Sequence, residues 1–315
     1  MTRLSNRLLL TFGLASLAAV TTGAFVCAQS GVPTGLWLRN LIAWSMGGLV
    51  AVAISAARPG PAAAFALLAA PAGLAASLIS RDQAGVHRWV DLGPLHMNVA
   101  MVLAPLAVVA LAASGGATRW PWVAALITLG LLVAQPDASQ ATAFAASVAL
   151  IASRIARPLA ARGAVIAVAG LLAAAAWLRP DPLLPVPEVE EVIGLANTLS
   201  PLAAVLASAL LAAASLAPLV LTRAAQPQPR LAGQALSVCF LLWSATPWIG
   251  AFPVPWVGIG MSPILGGWLG VGLLAALVRR LRTAPSPQSV VSSVSAPGAF
   301  FLMLSMALLA PAFEA

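Results

Sequence analysis

Apolar runs of roughly 17–25 residues follow one another along almost the whole chain, each long enough to cross a bilayer core about 30 Å thick. A bilayer interior offers no water to backbone groups, so such runs must satisfy their own N–H and C=O groups as helices. They are continuous rather than alternating, which excludes the strand pattern of a membrane barrel. Only 8% of the 315 residues are charged and 61% are hydrophobic. That is too little charge to cover a soluble domain of this length. The expected fold class is an all-α polytopic membrane protein of about 10 transmembrane helices, with an extra C-terminal apolar helix.

The runs fall at residues 8–28, 36–57, 62–80, 98–114, 120–134, 139–153, 163–178, 195–221, 231–250 and 262–278. The first, preceded by Arg3 and Arg7, is longer than a signal-peptide core and reads as a retained span. At Gln135-Pro136-Asp137 the proline stops one helix and Asp137 can cap the next. Pro201 and Pro218 predict kinks within 195–221. A Ser/Pro-rich linker at 283–296 separates the main body, residues 1–282, from a further apolar segment at 297–315.

With the N-terminus on the cytoplasmic side, every arginine except Arg39, Arg81, Arg88 and Arg179 lies at a cytoplasmic end. The net charge of +8 is therefore a topology signal, and no nucleic-acid partner is expected. The same orientation sends Asp82, Asp91, Asp137, Asp181, Glu188, Glu190 and Glu191 outside, together with His87 and His96. Acids do little to set topology, so this segregation carries separate information: the chemistry is expected at the outer face. Two polar interruptions hold most of these groups, residues 81–98 and residues 179–191. Cys27 and Cys239 sit inside apolar runs and imply no disulfide framework.

Three outer-face motifs carry a family resemblance. Gly85-Val86-His87-Arg88-Trp89 resembles a Gly-x-x-Arg-Trp loop, and Gln135-Pro136-Asp137 resembles a Gln-Pro-Asp turn. Pro253-Val254-Pro255-Trp256-Val257-Gly258-Ile259-Gly260-Met261-Ser262 is similar to a Pro-Leu-Pro-Phe-Ile-Ser-Tyr-Gly-Gly-Ser signature. In that order, on a ten-helix plan, they resemble the SEDS family of shape, elongation, division and sporulation proteins over residues 1–282. The resemblance implies a SEDS-like bundle in the bacterial inner membrane. It also implies a role in peptidoglycan synthesis linked to cell shape or division, with lipid II or another polyprenyl-linked sugar as substrate. Membrane lipids and a single-span transpeptidase-type protein are the implied partners.

On that basis Arg88 is the expected pyrophosphate ligand, since a guanidinium matches phosphate oxygens bidentately. His87, Gln135 and Asp137 are expected beside the substrate. Glu188 stands where the family places its catalytic aspartate. Glu188 and Glu191, three apart on a helical turn, would share a face and act as base or hold a divalent cation, with Glu190 pointing elsewhere. The chain also departs from the family: its intramembrane Glu and Lys positions read Met101 and Ala104. Three functions stay open, a lipid II glycosyltransferase, a catalytically degenerate scaffold for a transpeptidase-type partner, and a transporter or lipid flippase. The near absence of ionisable residues within the spans argues against the last.

Overall fold

The computed structural model describes residues 3–93, 95–116 and 118–280; the linker at 283–296 and the apolar segment at 297–315 lie outside the described residues. The helices run α1 (Arg3–Gln29), α2 (Thr34–Ala56), α3 (Pro59–Leu78), α4 (Val99–Ala113), α5 (Trp120–Ala134), α6 (Ala138–Ile155), α7 (Leu159–Trp177), α8 (Pro187–Glu190), α9 (Val192–Leu199), α10 (Pro201–Thr222), α11 (Pro227–Ala245) and α12 (Met261–Arg280). Among the described residues, α1, α2, α3, α7, α10 and α12 are each long and apolar enough to cross a membrane, and α4 and α5 are shorter apolar helices. The chain is a multi-pass, all-α membrane protein.

The helix starts follow from local chemistry. Proline opens α3, α5, α10 and α11 in the first turn, where its missing N–H is no loss. Among the described residues, three starts carry side-chain caps: Asn98 accepts from the Met101 N–H, Asp137 from Gln140 and Ser200 from Ala203. The apolar run at 195–221, expected as one kinked span, is divided into α9 and α10. Ser200 is extended between them, because the residue before a proline is pushed out of the helical region.

Helix α12 is the axis of the bundle, buried along its whole length from Ser262 to Val278. Gly266 lets it lie directly on α4: a β-carbon there would fall 1.9 Å from the Met101 carbonyl oxygen. Trp268 meets Phe12 and Trp44 edge-on, with ring centroids 5.2 and 5.5 Å apart. Exposed leucines and valines such as Leu171, Leu202 and Val205 line the outward faces of α7 and α10, as a lipid-facing surface requires.

Residues 81–98, expected only as a polar loop, contain an antiparallel hairpin, β1 (Trp89–Leu92) and β2 (Leu95–Asn98), in which Asp91 faces His96. The Asn98 that closes β2 also caps α4, so the hairpin is rigidly joined to the bundle. Its end of the bundle also holds the 134–138 turn, residues 178–191 and the 250–260 turn.

Candidate functional site at the hairpin end

Arg88 is the centre of this end. Its side chain is 7% exposed, and it donates from Nε to the Gln135 carbonyl at 3.1 Å and from a terminal nitrogen to the Pro136 carbonyl. A terminal nitrogen also reaches Asp181 Oδ2 at 2.7 Å, and Asp137 Oδ2 lies 3.9 Å from Nε. A guanidinium buried at this depth needs such partners, because an unpaired buried charge costs several kcal/mol. Burial pushes the Asp137 carboxyl above its ordinary value, while Arg88 and the Gln140 N–H pull it back.

Arg88, Asp137, Asp181 and Glu190 line one cavity of about 40 Å³, walled by Trp89, Leu183, Phe252 and their neighbours. That volume takes a few waters, whereas pockets for small organic ligands span roughly 300–1,000 Å³. A larger cavity, about 240 Å³, lies at the opposite end between α3, α4, α5 and α12. Its lining has no carboxylate and combines apolar residues such as Ala63, Ala64 and Ala110 with Gln228 and Arg280. The carboxylates are at the smaller one.

The residues singled out from sequence separate into three groups. Arg88 and Asp137 meet at the cavity. The side chains of Gln135 and His87 turn away from the cavity. Gln135 Nε2 donates to the Leu74 carbonyl and to Ser77 Oγ, tying the end of α5 to α3, and His87 Nδ1 bonds the Ser80 carbonyl at 3.0 Å. Gln135 contributes to Arg88 only through its backbone oxygen. Glu188 and Glu191 do not line the cavity, and Glu190 does. Helix α8 ends at Glu190, and Glu191 follows it at φ −111°, ψ 16°, its N–H donating to the Pro187 carbonyl at 3.0 Å. Burial raises the Glu190 carboxyl, and the Val186 N–H, donating to Oε2 at 2.7 Å, opposes the rise. No cluster of three or more His, Cys, Asp or Glu is arranged to hold a metal among the described residues.

The third motif supports the acidic turn from beneath. Val254 N–H donates to the Val189 carbonyl at 3.0 Å and Ile259 N–H to the Glu188 carbonyl at 2.8 Å. Gly258 makes that approach possible, since a β-carbon there would lie 2.4 Å from Val189 O. Trp256 sits at φ 58°, a conformation costing a bulky residue about 1–2 kcal/mol. It is held there by edge contacts with Phe12 and Phe240 at 5.8 and 5.1 Å. Asn40 completes the support from α2, donating from Nδ2 to the Gly258 carbonyl and accepting from Gly260 N–H at Oδ1, at 2.9 and 3.0 Å. Sequence reasoning passed over Asn40, although an amide inside an apolar span is itself a signal. Asp181 was visible only as one acid of a loop.

Neither a protein-family model nor a curated protein sequence matches this chain. Its described body is nevertheless that of a known class, polytopic membrane proteins with the SEDS-like fold that the three motifs resemble. An aspartate-to-alanine mutant of the rod shape determining protein RodA from Thermus thermophilus matches with a TM-score of 0.68 at 19% identity, over 85% of this chain and 96% of that one. The unmutated RodA gives 0.56 at 20% identity, over 85% and 95%. A chain from a structure of a peptidoglycan synthase complex, described as coordinating polymerization and crosslinking, gives 0.61 at 18% identity, over 87% and 98%. At these identities the likeness is one of fold.

Proposed function

We propose that this protein acts in peptidoglycan synthesis at the outer face of the bacterial inner membrane, with its N-terminus cytoplasmic, and that it binds lipid II or a related polyprenyl pyrophosphate-linked sugar at Arg88. The observation that carries this reading is a nearly buried guanidinium, bracketed by Asp137 and Asp181 at a cavity of the hairpin end, in a chain with the fold of RodA. In the reaction, an acceptor sugar hydroxyl bonds to the anomeric carbon of the donor. The bond from that carbon to pyrophosphate breaks, and polyprenyl pyrophosphate leaves with the electron pair. Arg88 offsets the charge gathering on the leaving group. The hydroxyl proton goes to a carboxylate, and Glu190 is better sited than Glu188 because it lines the same cavity. Its raised pKa suits a general base.

A second reading has its own support: the family's intramembrane Glu and Lys positions are the buried, apolar Met101 and Ala104. Under it the chain is a degenerate scaffold for a single-span transpeptidase-type partner. Purified full-length protein, assayed for lipid II polymerisation alone and with that partner, separates the two. Polymer that disappears in Glu190→Gln but persists in Glu188→Gln supports the enzyme as written. Polymer lost only in Glu188→Gln moves the base to Glu188, and no polymer under either condition leaves the scaffold.

A further inference from the structure

Asp181 stands where an anionic ligand of Arg88 would stand. Its Oδ2 takes a terminal guanidinium N–H at 2.7 Å. The other acceptors of Arg88 are the backbone carbonyls of Gln135 and Pro136, fixed by the end of α5. Asp137, the second carboxylate, is committed to capping α6. Asp181 is therefore the one partner able to leave without unfolding anything. It lies on the stretch between α7 and α8, outside regular structure, and its Oδ1 accepts only the local Leu183 N–H at 3.2 Å. Its side chain keeps 27% of its exposure, against 7% for Arg88. Leu184, three residues on, is 87% exposed, so the stretch is lightly anchored. With Asp181 seated, the cavity is far too small for a sugar pyrophosphate.

We infer that Asp181 is a built-in competitor for the anion site, and that it sets which anions Arg88 accepts. A tethered carboxylate at 2.7 Å resists displacement by a singly charged phosphate ester, including the phosphodiesters of bulk phospholipid. A pyrophosphate brings more charge and more acceptor oxygens to the same fork, and so displaces it. The closed state then keeps the site silent in a membrane crowded with monoanionic headgroups. This rests on Arg88 being an anion site, as proposed above, and adds the residue that makes it selective.

The test is equilibrium binding of inorganic pyrophosphate and of dimethyl phosphate to the full-length protein in neutral detergent, followed by phosphorus NMR. Wild type is expected to bind pyrophosphate weakly and dimethyl phosphate not at all. Asp181→Asn, near-isosteric and on an irregular stretch, should bind pyrophosphate about tenfold more tightly, because the competent open form is no longer a minor one, and should also bind dimethyl phosphate. Asp181→Glu keeps the charge and should keep the exclusion of dimethyl phosphate, which a merely structural role for Asp181 would not require. Equal binding by wild type and Asp181→Asn overturns the competitor while leaving the anion site standing. Pyrophosphate binding absent from both proteins, or surviving Arg88→Gln in the Asp181→Asn background, overturns the anion site itself.

Discussion

The two ends of the bundle use arginine in opposite ways. At the end opposite the hairpin, Arg279 donates to the Ala56 and Ala57 carbonyls at 2.6 and 2.9 Å, and Arg162 reaches the Ala156 carbonyl at 3.4 Å. These carbonyls close α2 and α6, where the helix dipole is negative and a cation is favourable. At the hairpin end Arg88 is drawn inside, against two carboxylates from distant parts of the chain. The ion pairs of Arg88 with Asp137 and with Asp181 lie at that end, beside the contact of His96 Nδ1 with Asp91 Oδ1 at 2.6 Å. One end uses positive charge to finish helices and fix topology; the other buries it and surrounds it with acids. Stability alone does not require the second arrangement, since a buried ion pair is often no better than an apolar replacement.

The comparison breaks outright if the ends are not on opposite sides of the membrane. Leu184→Cys, at the hairpin end, and Ala224→Cys, between α10 and α11, report the two sides. Cys27 and Cys239 are fully buried and give no background. A membrane-impermeant thiol reagent applied to intact cells with a permeable outer envelope is expected to label Leu184→Cys and spare Ala224→Cys. The reverse pattern would place the acids in the cytoplasm and remove lipid II chemistry from the site.

Next in size is the ion-pair centre. Arg88→Leu leaves Asp137 buried with no cation and two carbonyls with no donor. It should destabilise the protein by about 3–5 kcal/mol, measured by unfolding in detergent, with part recovered by adding Asp137→Asn. Arg88→Lys keeps the charge and loses the fork, so it should fold and still lose binding. Arg279→Leu should have a smaller effect, since its bonds to the Ala56 and Ala57 carbonyls are made at a helix end where water can replace the guanidinium. If the two leucine variants are equally destabilised, the ends do not differ as described.

A smaller effect is expected at Asn40, which ties α2 to the turn beneath the acids. Asn40→Ala leaves the Gly258 carbonyl and Gly260 N–H without partners and should destabilise by about 1–3 kcal/mol. Asn40→Asp keeps the acceptor for Gly260 but sets a carboxylate against the Gly258 carbonyl, and should be the worse of the two. Wild-type stability in both would show that the 250–260 turn stands without α2.

The sequence and the structure agree where the physics is local. Spans end at Arg58-Pro59 and Pro136 because proline acts on its own neighbours. Asp137 caps α6 for the same reason. Helix α11, by contrast, begins at Pro227, four residues before the apolar run expected at 231–250. What sequence did not yield depends on contacts far apart in the chain. Arg88 and Asp181 are 93 residues apart and Asn40 and Gly258 are 218 apart, and no periodicity encodes either pair. The acidic turn is a different case: helical spacing pairs Glu188 with Glu191, but it is Glu190 that lines the cavity, because the cavity is assembled from Arg88, Asp137 and Phe252, which are remote in sequence from that turn.

The finest distinction concerns how each end titrates. The opposite end is dominated by arginine, which does not titrate near neutrality. At the hairpin end Glu190 is half-buried, and burial raises its carboxyl above the ordinary value of 4.5, with Glu188 and Glu191 adding repulsion that raises it further. A carboxyl that is harder to ionise when folded favours the fold while protonated. That contribution is fully present below the ordinary value, and it is lost as pH climbs through the raised one. Glu190→Gln carries a neutral amide whose oxygen still accepts the Val186 N–H, and it does not titrate. The melting temperature of wild type should therefore fall relative to that of Glu190→Gln as pH is raised from 4 toward neutrality. Glu188→Gln, which removes only a neighbouring charge, should reduce the fall without abolishing it. Parallel pH profiles for wild type and Glu190→Gln would mean that Glu190 is hydrated like any surface acid, and its claim to be the base at the cavity would go with its burial.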